Sequence, residues 1–185
     1  MNDKHLMGPK TLSRRTILDH GKFLRIELHR VEWPNGRVID DWAWIITPDY
    51  VNVVAETEDG RLLCFRQVKY ALDGPSLAIV GGYQEPGEAA LASAQRELRE
   101  ETGYEADEWI SLGSYPVDGN RGAGSGHFFL ARGARHVAAP VSDDLEEQEM
   151  LFLTPAEARA ALSRGEVKLM PWAAALAIAL LRLPQ

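Results

Sequence analysis

The sequence predicts an α/β fold whose N-terminal part is built from antiparallel strands. Runs rich in β-branched and aromatic residues fill much of the first 70 residues, and turn signals separate them. A long segment without glycine or proline in the middle of the chain indicates a helix. With 185 residues, 45% of them hydrophobic, the chain has the size of one domain. We expect a loose tail over residues 1–15 and a single domain over residues 16–185.

The early strands are separated by two tight turns. A Pro-Asn-Gly sequence at residues 34–36 lies between the first two runs, and a Glu-Asp-Gly-Arg sequence at residues 58–61 lies between the next two. Both sequences are typical of hairpin turns, so the strands on either side of each turn should pair. The predicted strands cover residues 23–33, 38–46, 51–55, 62–67, 109–115, 128–131 and 150–153.

Three helices are predicted from the signals at their ends. The central segment is rich in Ala, Leu, Glu and Arg, and Gly103 follows it where a helix C-cap is expected. Thr154 is followed by Pro155 and, three residues on, by Glu157, which makes a capping box. Proline also begins and ends the last helix. The predicted helices cover residues 88–102, 154–165 and 171–184.

Composition narrows the classes of function. A formal charge of −7 opposes a broad phosphate-tracking surface, so a nucleic-acid partner is disfavoured. The single cysteine, Cys64, cannot form an internal disulfide and points to a reducing compartment. The apolar run over residues 172–183 is shorter than the roughly 20 residues that a membrane span needs. Since no secretory signal is recognised at the start either, we expect a cytoplasmic protein without a membrane partner.

Three carboxylates share one face of the central helix. Glu97, Glu100 and Glu101 stand at positions i, i+3 and i+4, which places them on adjacent parts of the helix surface. Their mutual repulsion is relieved either by solvent, if the face is simply solvated, or by a divalent cation. Oxygen-only ligands at this charge density suit Mg²⁺ or Mn²⁺, and the chain lacks the paired cysteines or spaced histidines that zinc prefers.

The residues around these carboxylates follow the spacing G-x5-E-x7-R-E-U-x-E-E-x-G-U, where U is aliphatic. The positions are filled by Gly82, Glu88, Arg96, Glu97, Leu98, Glu100, Glu101, Gly103 and Tyr104. This pattern resembles the Nudix box, and the chain is identified on it as a member of the Nudix hydrolase family. Tyr104 departs from the pattern, since the family more often has Ile, Leu or Val at this packing position.

The resemblance implies a Nudix-type α/β/α sandwich with a mixed sheet, the box helix on one side and the C-terminal helices on another. It implies that Glu97, Glu100 and Glu101 bind the metal, with the backbone carbonyl of Gly81 as a further ligand. The reaction it implies is the hydrolysis of a nucleoside diphosphate linked to another group, with Mg²⁺ or Mn²⁺ as cofactor.

Four further box residues have supporting roles in this resemblance. Arg96 and Glu88 resemble the pair that braces the loop and the helix and orients the ligands. Gly82 and Gly103 would allow tight backbone turns at the two ends of the unit, which requires no contact with substrate.

A second, looser resemblance is to the ADP-ribose and nucleotide-sugar pyrophosphatases within the family. It rests on the Arg-Gln-Val-Lys-Tyr sequence at residues 66–70 and on the segment after residue 145. Arg66 and Lys69 would then hold phosphate oxygens, although both could be strand-end charges in solvent. Ala-Ile-Val-Gly-Gly at residues 78–82 departs from the usual Glu-x-Pro-Ala-Gly of that branch, and its usual Pro-Gly after the box is missing.

The candidate substrate contacts outside the box are Arg121, Trp42 and Trp44. The glycine-rich segment over residues 120–127 could wrap a phosphate or a ribose with backbone N–H groups and Arg121, or it could be only flexible. Trp42 and Trp44 lie in an early strand, where this branch often stacks a base near a dimer interface, although aromatic residues in strands more often serve packing. The tryptophan-rich hairpin and the branch resemblance together favour a homodimer.

The general base is expected outside the box helix, in the acidic stretch over residues 143–149. Carboxylates bound to a metal are poor proton acceptors, so a separate carboxylate is chemically preferable. Glu146 fits best, with Glu147 as its competitor and Glu100 as the next candidate, while the alternative is a solvated acidic loop.

Two rival functions remain open. One is a Nudix hydrolase of nucleoside triphosphates or dinucleoside polyphosphates. The other is a non-catalytic nucleotide-sensing Nudix module, although such modules typically lose box carboxylates that this chain retains.

Overall fold

The computed structural model describes residues 7–141 and 148–183. The chain separates into two units, the first made of Met1–Pro48 and Pro116–Ser125 and the second of Asp49–Tyr115 and Gly126–Gln185. The expectation of a single domain over residues 16–185 stays a prediction.

The described residues of the first unit include the antiparallel strands β1 (Lys10–Asp19), β2 (Arg25–Glu32) and β3 (Val38–Ile46). The turn between β2 and β3 is closed by hydrogen bonds from Gly36 N to Trp33 O and from Trp33 N to Arg37 O, both 2.8 Å. The predicted hairpin is therefore confirmed.

The predicted loose tail is wrong for residues 10–15, which form the first part of β1. The sequence of β1 lacks the apolar alternation that marks a half-buried strand, and every side chain of β1 is exposed in the structure. Backbone pairing with β2 holds this segment, and only the tertiary structure shows that pairing.

The second unit is built on a mixed sheet. Its strands are β4 (Tyr50–Thr57), β5 (Leu62–Gln67), β6 (Ser76–Ala78), β7 (Val80–Tyr83), β8 (Tyr104–Glu105), β9 (Glu108–Asp118), β10 (Gly122–His136) and β11 (Gln148–Leu153), with β9 and β10 each extending into the first unit. β10 pairs with β4 in parallel, whereas β5 and β7 pair with β4 antiparallel and β11 pairs with β5 antiparallel. The predicted strands of this unit are confirmed, but β6, β7 and β8 were missed because they are very short and their sequences carry no clear alternation.

In the described part of the chain, three helices accompany this sheet, namely α1 (Ala90–Thr102), α2 (Pro155–Ser163) and α3 (Met170–Leu180). α1 packs on β4 and β7 through the fully buried Ala94 and Leu98, and α3 packs on β4. The capping box of α2 is confirmed, since Thr154 Oγ1 accepts from Glu157 N at 3.2 Å and Glu157 Oε2 accepts from Thr154 N at 2.8 Å. The packing of α1 on β4 and β7 places the α1 carboxylates against these two strands.

Within residues 7–141 and 148–183, none of the helices has both the length and the apolar character that crossing a membrane requires.

Two glycines with the same backbone dihedral allow a matched test of the α1 terminus. Gly103 and Gly165 both have φ of 73°, a left-handed conformation that costs other residues about 1–2 kcal/mol. A Cβ at Gly103 would also overlap the backbone carbonyl of Ala138, whereas one at Gly165 would meet no described atom within 4 Å.

We therefore expect Gly103→Ala to lower the free energy of unfolding by roughly 2–5 kcal/mol, because overpacking adds to the backbone cost. Gly165→Ala should lose only about 1–2 kcal/mol. Urea denaturation followed by circular dichroism measures both, and equal losses would contradict the steric argument.

Candidate active site

A glycine pair lets the α1 carboxylates approach the backbone of β7. Gly81 lies opposite Asn52 and Gly82 lies opposite Val51 in the antiparallel pairing of β7 with β4. A Cβ at Gly82 would overlap the end of the Glu97 side chain, so glycine allows this carboxylate to lie against the strand without a shift. Gly82 lies within β7 and is not among the described glycines with positive φ, so the predicted tight turn at Gly82 is wrong, whereas Gly103 has a φ of 73°. Gly81 N donates to Glu101 Oε2 at 3.2 Å. Glu97 and Glu101 therefore lie against the adjacent strand residues Gly82 and Gly81.

Arg96 braces the segment that precedes the helix, as the resemblance implies for this pair. Its Nε and Nη2 donate to the two oxygens of Glu88 at 3.0 and 3.1 Å, and Nη2 also donates to the Tyr83 carbonyl at 3.2 Å. This two-pronged bond to Arg96 lowers the pKa of the Glu88 carboxyl, and bonding to Glu88 in turn raises the pKa of Arg96. The brace joins the end of β7 to the first turns of α1.

The same guanidinium offsets the repulsion among the box carboxylates. Arg96 Nη1 donates to Glu97 Oε1 at 2.8 Å and to Glu100 Oε2 at 3.0 Å. The Glu97 side chain is only 12% exposed, whereas that of Glu100 is 49% exposed. This face of α1 is thus not simply solvated at Glu97, although Glu100 remains open to water.

The donors on this face fit a hard divalent cation. Among the described residues no three acidic, histidine or cysteine side chains stand in a metal-holding arrangement. Arg96 contacts Glu97 and Glu100, and Gly81 N contacts Glu101. The donor set is nevertheless oxygen-only, with Glu97 and Glu101 beside Gly82 and Gly81 and Glu100 next to them on the helix, and its charge suits Mg²⁺ or Mn²⁺.

A cleft of about 340 Å³ lies beside the glycine pair. It is lined by Tyr50, Val51, Asn52, Lys69, Gly81, Gly82, Tyr83, Pro171 and Trp172. Burial raises the pKa of the Tyr50 hydroxyl, and the nearby Tyr83 adds to the shift. The structure thus brings Lys69, a predicted phosphate contact, to the box.

Sequence reasoning missed Tyr50, Asn52 and Trp172 as lining residues of this cleft. Asn52 offered one signal, since it is a polar residue within an otherwise apolar run of β4. Trp172 offered none, because the start of α3 looks like ordinary core packing.

Arg66 lies away from this cleft. It borders a different one, lined by Gln67, Val68, Pro75, Gln148 and Glu149 as well, and its Nη1 is 3.9 Å from Glu149 Oε2. Its side chain is 60% exposed. A phosphate role for Arg66 stays a prediction.

Arg121, Trp42 and Trp44 belong to the first unit, whereas the box belongs to the second. Trp42 Nε1 donates to the Asn120 carbonyl at 2.6 Å, and the Trp44 ring stacks on His29 with centroids 5.4 Å apart. These contacts give both rings a packing role within their own unit. Base stacking by them stays a prediction.

The segment over residues 120–127 is not the loop that its glycines suggested. Asp118 Oδ1 accepts from Asn120 N and Arg121 N at 2.7 and 2.9 Å, which forms a tight turn, and β10 begins directly afterwards at Gly122. The expectation of a glycine-rich loop is therefore wrong for residues 122–127. Glycine and alanine at positive φ fit into this strand start, as Gly122, Ala123 and Gly124 show.

The two candidate bases, Glu146 and Glu147, lie outside the described residues. The described chain resumes at β11, where Glu149 pairs with Arg66 in register.

Comparison with known proteins agrees with this geometry. Residues 47–173 match the NUDIX domain. The chain belongs to the Nudix family. The match covers the whole box and the cleft beside it, so the predicted Nudix hydrolase family is confirmed, and Nudix enzymes generally use divalent metal ions.

Three relatives and a solved structure show the breadth of this similarity. A methanol dehydrogenase activator from Bacillus methanolicus is 29% identical over 155 residues, 83% of this chain and 82% of the relative. An ADP-ribose pyrophosphatase from Bacillus subtilis is 30% identical over 122 residues, 66% of this chain and 65% of the relative. A CMP-5'-(N-acetyl-N-hydroxy-3-aminopropyl)phosphonate hydrolase from Streptomyces rubellomurinus is 26% identical over 149 residues, 80% of this chain and 71% of the relative.

The solved structure is described as that of an ADP compounds hydrolase. It has a TM-score of 0.77 and 20% identity, and the match covers 95% of this chain and 94% of that one. This likeness shows the fold and confirms the predicted Nudix-type α/β/α sandwich with a mixed sheet.

The brace between Arg96 and Glu88 should depend on pH. Because the folded-state pKa of Glu88 is lowered, its ionised form stabilises the fold above the unfolded pKa of about 4.3, and this contribution is lost as the pH falls through the lowered value. Glu88→Gln should therefore be less stable than the unmodified Nudix protein at pH 7, and the difference should shrink below about pH 4.

Thermal unfolding at a series of pH values measures this difference. Glu85→Gln, which changes an exposed carboxylate three residues away, is the matched control. A stability difference that stays constant from pH 7 to pH 3 would contradict the ionic brace.

Proposed function

We propose that this Nudix hydrolase cleaves the diphosphate of a nucleoside diphosphate linked to another moiety, with ADP-ribose or a nucleotide sugar as substrate. The products are a nucleoside monophosphate and a sugar phosphate. The observation that supports this most is the approach of Glu97 and Glu101 to Gly82 and Gly81, beside a cleft that Lys69 also lines.

The relatives support the same substrate class. The names of the Bacillus subtilis and Streptomyces relatives describe hydrolases of ADP-ribose and of a CMP-linked phosphonate, and both compounds are nucleotides joined to another group. Residues 78–82 depart from the sequence that is usual in the ADP-ribose and nucleotide-sugar branch. The proposal therefore names the class of leaving group and not a single compound.

The roles of the residues follow from their chemistry. Glu97, Glu100, Glu101 and the Gly81 carbonyl would hold Mg²⁺ or Mn²⁺. A divalent cation bound there supplies charge neutralisation for the diphosphate and a lowered pKa for an attacking water. Lys69 offers a point charge to a phosphate oxygen. Arg66, Arg121, Trp42 and Trp44 are kept as proposed substrate contacts.

A substrate panel tests this function. ADP-ribose, nucleotide sugars, NADH, dinucleoside polyphosphates and nucleoside triphosphates are each incubated with Mg²⁺ or Mn²⁺, and the products are identified by chromatography. Preferred hydrolysis of triphosphates or dinucleoside polyphosphates would favour the first rival function. Tight binding without turnover would favour the sensing module.

We also propose a homodimer formed through the first unit. Leu12, Ile17 and Leu18 of β1 are 39%, 50% and 44% exposed, which is a large apolar exposure for one strand. Light scattering at micromolar concentration measures the mass, and a stable monomer would contradict the proposal.

We also propose that the protein is cytoplasmic and that its substrate is a small molecule rather than a nucleic acid. The net charge of −7 and the single cysteine support both. Cys64 is buried, and burial raises its thiol pKa to about 12, so a nucleophilic role is disfavoured.

A first prediction of the proposed function is that hydrolysis depends on a divalent metal ion. Excess EDTA should abolish hydrolysis, and Mg²⁺ or Mn²⁺ should restore it, because a diphosphate beside three glutamates needs a counter-charge. Glu101→Gln should lose several orders of magnitude in kcat while folding normally, since the amide still accepts from Gly81 N.

Glu166→Gln is the matched control, because Glu166 is an exposed glutamate paired with Arg164. It should retain full activity. Undiminished turnover in EDTA, or near-normal turnover of Glu101→Gln, would return the carboxylates to a structural role.

A second prediction concerns the identity of the general base. Glu146→Gln, or otherwise Glu147→Gln, should lower kcat roughly 10² to 10⁴-fold with little change in substrate affinity. Glu149→Gln, a change of the exposed glutamate in β11, is the control and should have little effect. If both variants keep more than about half of the activity, the base lies elsewhere and Glu100 is the next candidate.

A further inference from the structure

Asn52 is a buried amide in the most apolar strand of the second unit. It is 3% exposed, and its neighbours Val51, Val53 and Val54 are fully buried. Its Oδ1 has no hydrogen-bond partner among residues 7–141 and 148–183. A buried acceptor left unpaired costs about 1–3 kcal/mol, so its presence calls for a compensating function.

The position of this amide links the carboxylate face to the cleft. Asn52 faces Gly81 across the strand pair, and a Cβ at Gly81 would overlap the Asn52 amide nitrogen. The amide therefore occupies the space that a side chain at Gly81 would fill. Since Gly81 N also bonds Glu101, one glycine separates the Asn52 amide from the proposed metal ligands.

The cleft that Asn52 lines has the composition of a binding site for a small ring. Tyr50, Tyr83 and Trp172 supply flat apolar surface, Lys69 supplies a positive charge, and Asn52 supplies a neutral polar group. An aspartate in place of Asn52 would add a fourth negative charge close to the box and bury it without a counter-ion. Asparagine provides the acceptor without that charge.

We propose that Asn52 determines specificity by accepting a hydrogen bond from a hydroxyl of the sugar attached directly to the scissile diphosphate. This inference rests on the proposed function. In a nucleoside diphosphate joined to a second sugar, both groups bonded to the diphosphate are sugars. Because the cleft begins at Gly81 and Gly82, the first ring to enter it is a sugar, whichever half of the substrate binds there.

The test compares one substrate with its deoxy analogues. The substrate is the best one found in the panel, and the analogues lack single hydroxyls either on the nucleoside ribose or on the leaving sugar. We expect the unmodified enzyme to prefer the substrate over one analogue by about 10 to 100-fold in kcat/KM. The half of the molecule that carries this hydroxyl identifies the sugar in the cleft.

Asn52→Leu replaces the amide with an apolar side chain of similar size. In this variant the preference should disappear, because KM for the substrate rises to that for the analogue while kcat changes little. A merely structural role for Asn52 would leave the preference intact, since replacing an unpaired buried amide by an apolar group is neutral or stabilising for the fold.

Thr57→Val is the distant control, since Thr57 is also a buried polar residue of β4 but lies at its far end, where its hydroxyl bonds Asp59 and Arg61. It should keep the full preference for the hydroxyl. Asn52→Ala serves as the second variant if Asn52→Leu does not fold, and circular dichroism checks the folding of all three.

The outcomes separate this inference from the proposed function. An unmodified enzyme that hydrolyses none of the panel contradicts both. An enzyme that hydrolyses the substrate, but whose Asn52 variants retain the hydroxyl preference, contradicts the Asn52 assignment alone. Absence of any deoxy discrimination in the unmodified enzyme overturns the assignment as well.

Discussion

The close approach of α1 to the end of β7 is the contact on which the candidate site depends. Gly81 and Gly82 allow this approach, because a Cβ at Gly81 would overlap the Val51 carbonyl and the Asn52 amide, and one at Gly82 would overlap the end of the Glu97 side chain. The backbone N–H of Gly81 then faces Glu101. A helix that carries three carboxylates is thus held against the strand whose backbone supplies the remaining polar groups.

Arg96 gives this arrangement its electrostatic balance. Three like charges on one helix face would repel one another, and the guanidinium contacts two of them while it is anchored by Glu88 and the Tyr83 carbonyl. Charge-assisted bonds to a planar guanidinium restrict the positions of the carboxylates. A cation on this face would take over part of the neutralisation that Arg96 provides.

The residues that identify the family are different from those that would select the substrate. The box lies within the matched NUDIX domain, whereas the names of the relatives describe an ADP-ribose pyrophosphatase, a phosphonate hydrolase and a dehydrogenase activator. One fold therefore accommodates different ligands, and specificity has to be sought in the side chains around the box. In this chain those side chains include the aromatic residues, the lysine and the buried asparagine of the cleft.

The sequence by itself determined the features that depend on neighbours along the chain. The helix that ends at Gly103, the β2–β3 hairpin and the capping box at Thr154 rest on contacts between residues close together in the chain. The box was recognised from its spacing alone, whereas the contact of Gly81 N with Glu101 joins residues 20 positions apart. Local steric and hydrogen-bonding preferences decide these features, so the composition of a short segment suffices to predict them.

Only the tertiary structure decided which distant segments meet. It turned residues 122–127 into the start of β10, because backbone pairing with the remote strands β3 and β4 holds them. It also placed the exposed residues 10–15 in β1, where pairing with the following strand β2 holds a segment that has no apolar pattern of its own. It also brought Trp172 of α3 to the same cleft as Asn52 and Lys69. Pairing and packing between segments far apart in the chain leave little trace in local sequence patterns, and for this reason the cleft could not be predicted from them.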